Sequence, residues 1–73
     1  MVNYANGRYV VENTRGEFVG RIDYEEYVRN GSTLLYRIDG DEFYSASGGL
    51  IGFVAEGVVL STSGDPLFVI SKE

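Results

Sequence analysis

A chain of 73 residues makes one domain, and a domain of that size buries only about 60% of the surface its unfolded form exposes. The chain contains neither cysteine nor histidine, which excludes disulfide stapling and the usual zinc, haem and iron–sulfur sites. Eleven acidic against six basic residues give a net charge of −5, the wrong sign for nucleic acid or for an anionic membrane surface.

Apolar residues make up 44% of the chain, enough for a small core, and no apolar run approaches the ~20 residues that span a bilayer. The opening Met1-Val2-Asn3-Tyr4-Ala5-Asn6-Gly7 has neither a basic segment nor an apolar one, so no signal peptide is expected. The expectation is a single cytoplasmic domain over residues 1–73, with 1–7 as a flexible lead-in.

Taken in order, Arg8-Tyr9-Val10-Val11-Glu12 sets three β-formers between charges. Asn13-Thr14-Arg15-Gly16 is a turn signal in which Gly16 supplies positive φ. The returning segment alternates, predicting Phe18, Gly20, Ile22 and Tyr24 on one face and Val19, Arg21 and Asp23 on the other. The hairpin over Val10–Ile22, with its glycine inside the second arm, resembles the strand pairs of PRC-barrel domains, which are small bacterial β-barrels. Many twisted hairpins share that pattern, and it carries no family assignment.

Residues 23–31 support two readings. Asp23 and Glu26 have capping-box spacing, and Tyr24, Tyr27 and Val28 fall at helical intervals. Asn30-Gly31 between two β-rich segments is a two-residue hairpin signal, with more specific turn chemistry. The hairpin is the expectation. Leu34, Tyr36 and Ile38 then alternate with Leu35, Arg37 and Asp39, and Asp39-Gly40 is a second type I′ signal. Ser47-Gly48-Gly49, Glu56-Gly57 and Ser63-Gly64-Asp65-Pro66 mark further turns. The last strand, Leu67-Phe68-Val69-Ile70, is apolar throughout and therefore predicted to be covered on both faces.

Turns recurring every eight to twelve residues predict an all-β fold: a small antiparallel meander of about six to eight short strands, closed as a barrel or stacked as a sandwich. Residues 9–22, 41–54 and 58–71 align without gaps as repeated β-hairpins. Phe18 then coincides with Leu50 and Leu67, and Val19 with Ile51 and Phe68. Gly16, Gly31 and Gly40 are assigned to turns. Gly20 and Gly52, inside strands, are assigned to close approaches beneath an aromatic such as Tyr9 or Phe43.

Six carboxylates lie between Asp23 and Glu42, namely Asp23, Glu25, Glu26, Asp39, Asp41 and Glu42. Solvated turns account for them most simply. A hard-cation site or a glycosidase-like acid and base pair is the alternative. No catalytic residue, cofactor or metal ligand is assigned, because the serines have no histidine or neighbouring lysine to activate them. Six tyrosines are the unusual feature, and four of them, Tyr24, Tyr27, Tyr36 and Tyr44, fall in the central third. With Leu67, Phe68, Val69 and Ile70 they are the interface candidates. The functional expectation is a non-catalytic β-sheet binding or assembly module acting as a homodimer, any further protein partner being basic or neutral. A small carboxylate-dependent hydrolase or cation-binding protein using the Asp23–Glu42 group is the rival expectation.

Overall fold

The computed structural model describes residues 3–73. Eight strands follow one another as an antiparallel meander: β1 (Arg8–Asn13), β2 (Phe18–Asp23), β3 (Tyr27–Asn30), β4 (Thr33–Asp39), β5 (Glu42–Ser45), β6 (Leu50–Ala55), β7 (Val58–Ser61) and β8 (Pro66–Lys72). Each pairs with the next, and β8 pairs back onto β1 through Tyr9–Lys72 to Asn13–Phe68. The sheet is a closed barrel without a free edge, which removes the hazard of open strand edges. Of the stretch expected as a lead-in, Met1 and Val2 lie outside the described residues. The remainder is folded: Tyr4–Asn6 form a 3₁₀ turn capped by the Asn3 side chain, and Tyr4 is buried against Tyr9.

The barrel is four hairpins, each one sixteen-residue unit: 7–22, 23–38, 39–54 and 55–70. Ile22, Ile38, Val54 and Ile70 end the units and point into the barrel, all but the half-buried Val54 being fully buried. Val11, Val28, Phe43 and Val59, one from each outgoing strand, complete the interior and are 0% exposed. Burying each such side chain contributes roughly 1.5–3 kcal/mol.

Every unit also carries a bulge at the same place. Register shifts by one residue opposite Val19, Leu35, Ile51 and Leu67, again at intervals of sixteen. A bulge sets two neighbouring residues against one partner, so strict alternation fails there. Val19 packs against the core and Phe18 is 49% exposed, the reverse of the expected faces. The same shift corrects the alignment of repeats. The third matching segment begins one residue earlier, so that Gly16, Gly48 and Gly64 coincide at the hairpin turns, all with positive φ. Phe18 then corresponds to Leu50 and Pro66, and Val19 to Ile51 and Leu67. The unit 23–38, overlooked as a repeat, has one residue more before its first strand and one fewer in its turn.

That turn settles residues 23–31 as the strand-forming reading, with no helix. Asn30 pairs with Thr33, leaving Gly31 and Ser32 as the link. Only Gly31 of the two has positive φ, 62°, so the turn is of the II′ kind with glycine first, where type I′ was expected. Gly40 and Asp41 repeat this geometry between Asp39 and Glu42. Glu56 and Gly57 both have positive φ, as type I′ requires.

Gly20 and Gly52 occupy the position that Tyr36 and Phe68 occupy in the other two units. In the glycine units, the bulge residue, Val19 or Ile51, packs on the core. In the aromatic units the rings themselves do so: Tyr36, Phe43 and Phe68 cluster with centroids 4.9, 5.2 and 5.7 Å apart. Gly52 pairs across to Phe43, one of the aromatics expected over it, while Gly20 pairs with Val11. A Cβ on Gly20 would meet the Arg29 carbonyl oxygen at 2.7 Å, and one on Gly52 would overlap the Leu60 carbonyl oxygen. Neighbouring backbone is what excludes a side chain at both.

Candidate functional site: the outer wall

The barrel interior is filled by side chains, so the surface carries whatever the protein does. The sixteen-residue unit puts one outward residue of each returning strand at equivalent places, and these are Arg21, Arg37, Phe53 and Val69. Two arginines on one half and two apolar residues on the other divide the wall.

On the β1–β4 half, every arginine except Arg15 in the first hairpin turn meets both a carboxylate and an aromatic ring. Arg8 pairs with Asp23 at 3.2 Å, Arg21 with Glu73 at 2.9 Å and Arg29 with Glu25 at 2.9 Å. Arg37 reaches Glu26 at 3.8 Å and Asp39 at 3.4 Å. The rings beneath are Tyr24, Phe18, Tyr27 and Tyr44, with guanidinium carbons 5.2–5.8 Å from the centroids. Exposed ion pairs of this sort contribute little individually, but they neutralise this half.

On the β6–β8 half, the strands Leu50–Ala55, Val58–Ser61 and Pro66–Lys72 hold one charge, on the last residue Lys72. Phe53 pairs across to Leu60, and Val69 to Val58. Leu50, Phe53 and Val69 are 45%, 41% and 36% exposed, with Val58 and Leu60 half-buried between them. The result is a contiguous uncharged apolar wall.

Four carboxylates frame it. Glu12 is the cross-strand partner of Val69 on one side, and Glu42 that of Phe53 on the other. Glu56 lies in the β6–β7 turn, and Asp65 directly precedes Pro66 in the β7–β8 turn. Among the described residues none of the four enters an ion pair. Glu42 accepts a hydrogen bond from the Tyr44 hydroxyl at 2.9 Å, which, with burial and the surrounding carboxylates, raises the phenol above its ordinary pKa.

The acidic group of the central third does come to one end of the barrel, where the Ile38 amide donates to the Glu26 carbonyl and the Val54 amide to that of Asp41. Two of its side chains, Glu26 and Asp39, meet at Arg37. Among the described residues no three carboxylates are placed to hold a metal ion, and Asp23, Glu25, Glu26 and Asp39 face arginines. Two open grooves of about 360 and 550 Å³ flank the Tyr4 plug at this end. Burial, with Tyr9 adding to it, raises the Tyr4 phenol.

The interface candidates scatter. Tyr24 is 64% exposed in a turn, Tyr27 and Tyr44 lie half-buried under arginines, and Tyr36 belongs to the interior ring cluster. Of the final strand, Phe68 and Ile70 turn into the barrel, Leu67 is half-buried at the bulge, and Val69 alone faces out. The bulge, with pairing on both edges, accounts for the unbroken apolar run that was expected to be covered on both faces. The sequence reading missed Phe53, Leu60, Leu50 and Val58. Their signal was an uninterrupted stretch without charge from Phe43 to Ala55 and again from Gly57 to Gly64.

The chain matches no protein-family model, no curated protein and no solved structure. The likeness of the Val10–Ile22 hairpin to PRC-barrel strand pairs therefore stays with that hairpin. Among the described residues no helix is long and apolar enough to cross a membrane.

Proposed function

We propose that this chain is a small non-catalytic binding or assembly module whose working surface is the outer wall of β6–β8. The observation that carries this is the division of the surface: one half has four arginines paired with carboxylates, while the other exposes Leu50, Phe53 and Val69 without a charge among them. Exposed apolar surface rimmed by polar groups is how monomeric proteins mark a docking site. For a homodimer, the closed barrel covers Phe68 and Ile70 of the final strand and leaves Val69 of this wall, with Tyr24, as the exposed interface candidates. Against the Asp23–Glu42 hydrolase stands the engagement of Glu26 and Asp39, the two carboxylates that meet, by Arg37 on an exposed surface.

Amide NMR during titration with a neutral apolar probe tests the reading. Shifts should concentrate on Leu50, Phe53, Leu60 and Val69 and disappear in Phe53→Ser. Shifts centred on the grooves beside Tyr4, or spread evenly, would remove the wall as the docking surface.

A further inference from the structure

We propose that the β6–β8 wall receives a basic amphipathic protein segment, apolar at its centre and carrying lysine or arginine on both flanks. This rests on the wall being the docking surface, and the frame around it defines the partner. Glu12 and Glu42 stand on opposite sides, across from Val69 and Phe53 respectively. Glu56 and Asp65 stand at the two ends. All four lack an ion-pair partner among the described residues, whereas Asp23, Glu25, Glu26, Asp39 and Glu73 are each held by an arginine. The five arginine–carboxylate contacts all fall on the opposite half. Lys72, at the end of β8, is the single cation in the three wall strands.

An apolar centre inside a ring of uncompensated carboxylates selects its partner by charge. An anionic lipid surface or a nucleic acid would be repelled by the frame. A second copy of this chain would bring two such frames together, each on a molecule of net charge −5, and like charges set against each other suppress a pairing. Strand addition is closed to any partner, because both edges of every strand are used. What remains is a segment laid on the face: leucine- or phenylalanine-like side chains over Phe53, Leu60 and Val69, and cationic side chains reaching outward to the four carboxylates. On the opposite half five carboxylates are already taken up by arginines, and Arg15 and Glu17 lie together in the β1–β2 turn without an ion pair among the described residues, so it offers no comparable frame. Long basic side chains suit this arrangement, because their methylene stems cover apolar surface while their charges reach the rim.

The test uses the full chain and two synthetic amphipathic peptides of identical apolar pattern, one with lysine at every polar position and one with glutamate. Fluorescence anisotropy gives Kd, and amide NMR gives the location. The leucine–lysine peptide is expected to bind, with shifts on β6–β8, and the leucine–glutamate peptide at least about tenfold more weakly. Combining Glu12→Gln, Glu42→Gln, Glu56→Gln and Asp65→Asn should weaken the lysine peptide about sixteen-fold, from four exposed ion pairs of roughly two-fold each, and flatten its salt dependence. Phe53→Ser should weaken it at every salt concentration, with Val69→Ser as a second variant whose amide dispersion checks the fold. Equal binding of the two peptides, with shifts still on β6–β8, overturns the basic partner and leaves the wall as a docking surface. Shifts that move to the grooves beside Tyr4 overturn both. Sedimentation showing a dimer at micromolar concentration that the lysine peptide does not dissociate makes a second copy the occupant and likewise overturns the proposal.

Discussion

Gly52→Ala is the sharpest probe of how the barrel is packed. A Cβ at this position overlaps the Leu60 carbonyl oxygen and comes within 2.8 Å of the Leu60 carbonyl carbon and 3.0 Å of the Ser61 Cα. These are backbone atoms of the neighbouring strand. No rotamer change relieves the clash, and β6 and β7 must separate where Gly52 pairs with Ser61. Overpacking costs about 1–3 kcal/mol, and the rigidity of the obstacle places this case near the upper end. A chain of 73 residues is stabilised by about 4–11 kcal/mol in all, so a large fraction is lost. For a domain of this size each kilocalorie moves the midpoint by about 4–8 °C, and a loss near 3 kcal/mol predicts a fall of roughly 12–24 °C. Gly49→Ala is the matched control. Its Cβ would touch only the Ser45 Oγ at 3.4 Å, and a tolerated alanine for glycine stabilises by about 0.4–1 kcal/mol through the unfolded chain. Thermal melts followed by circular dichroism, with urea titrations beside them, measure both. Coincident midpoints for Gly52→Ala, Gly49→Ala and the parent would refute the close-approach argument and the packing of alternate units that rests on it.

Phe43→Ala removes the largest fully buried side chain and the ring that bridges Tyr36 and Phe68. The cost of about 3–5 kcal/mol should leave much of the protein unfolded at 37 °C, and a cooperative melt near that of the parent would contradict it. Tyr4 and Tyr44 should titrate above the ordinary phenol range of about 10, visible as late steps in the ultraviolet absorbance titration, and Glu42→Ala should bring the Tyr44 step down. Since both phenols hold their protons more tightly when folded, their contribution to stability is complete below that range and declines as pH rises through the folded values. A circular permutant joining Glu73 to Met1 and opened between Thr62 and Ser63, both exposed in a turn, should retain the parent's circular dichroism and cooperative melt. The β1–β8 pairing already brings the two ends of the sheet together, and loss of cooperativity would count against the closed barrel.

The architecture was readable because its punctuation is local chemistry. Gly16, Gly31 and Gly40 all have positive φ in turns, and the segments between them are β-formers, so an antiparallel meander follows without knowledge of distant contacts. The four-fold repeat was only partly readable. Its bulges insert one residue without changing composition, and a period-two pattern has no means of showing where the count slips. That slip misplaced Phe18 and Val19 and shifted the third repeat by one. The apolar final strand hid its inward and outward faces for the same reason: Leu67 lies at a bulge beside Phe68, while Phe53 and Leu60, which face out, sit in stretches with ordinary strand composition. Recognising the wall required knowing which residue of each returning strand points outward, and that depends on the bulge. The carboxylate frame was less visible still, since an unpaired acid differs from a paired one only by where the arginines fold to.

The seam between β2 and β3 has a consequence of its own. Arg21 opposite Arg29 is the one register pair there, where the other neighbours have three to five, and like charges facing across a ladder weaken it. Protection against hydrogen exchange should therefore be uneven around the ring. Amides flanking Arg21 and Arg29 should trade their protons through a local parting of these two strands, at a small fraction of the global unfolding free energy. Those of Val10 and Ser71, paired across the seam that joins the first strand to the last, should exchange only when the whole molecule unfolds. The barrel would then breathe in the middle of its sequence while its two ends stay fastened.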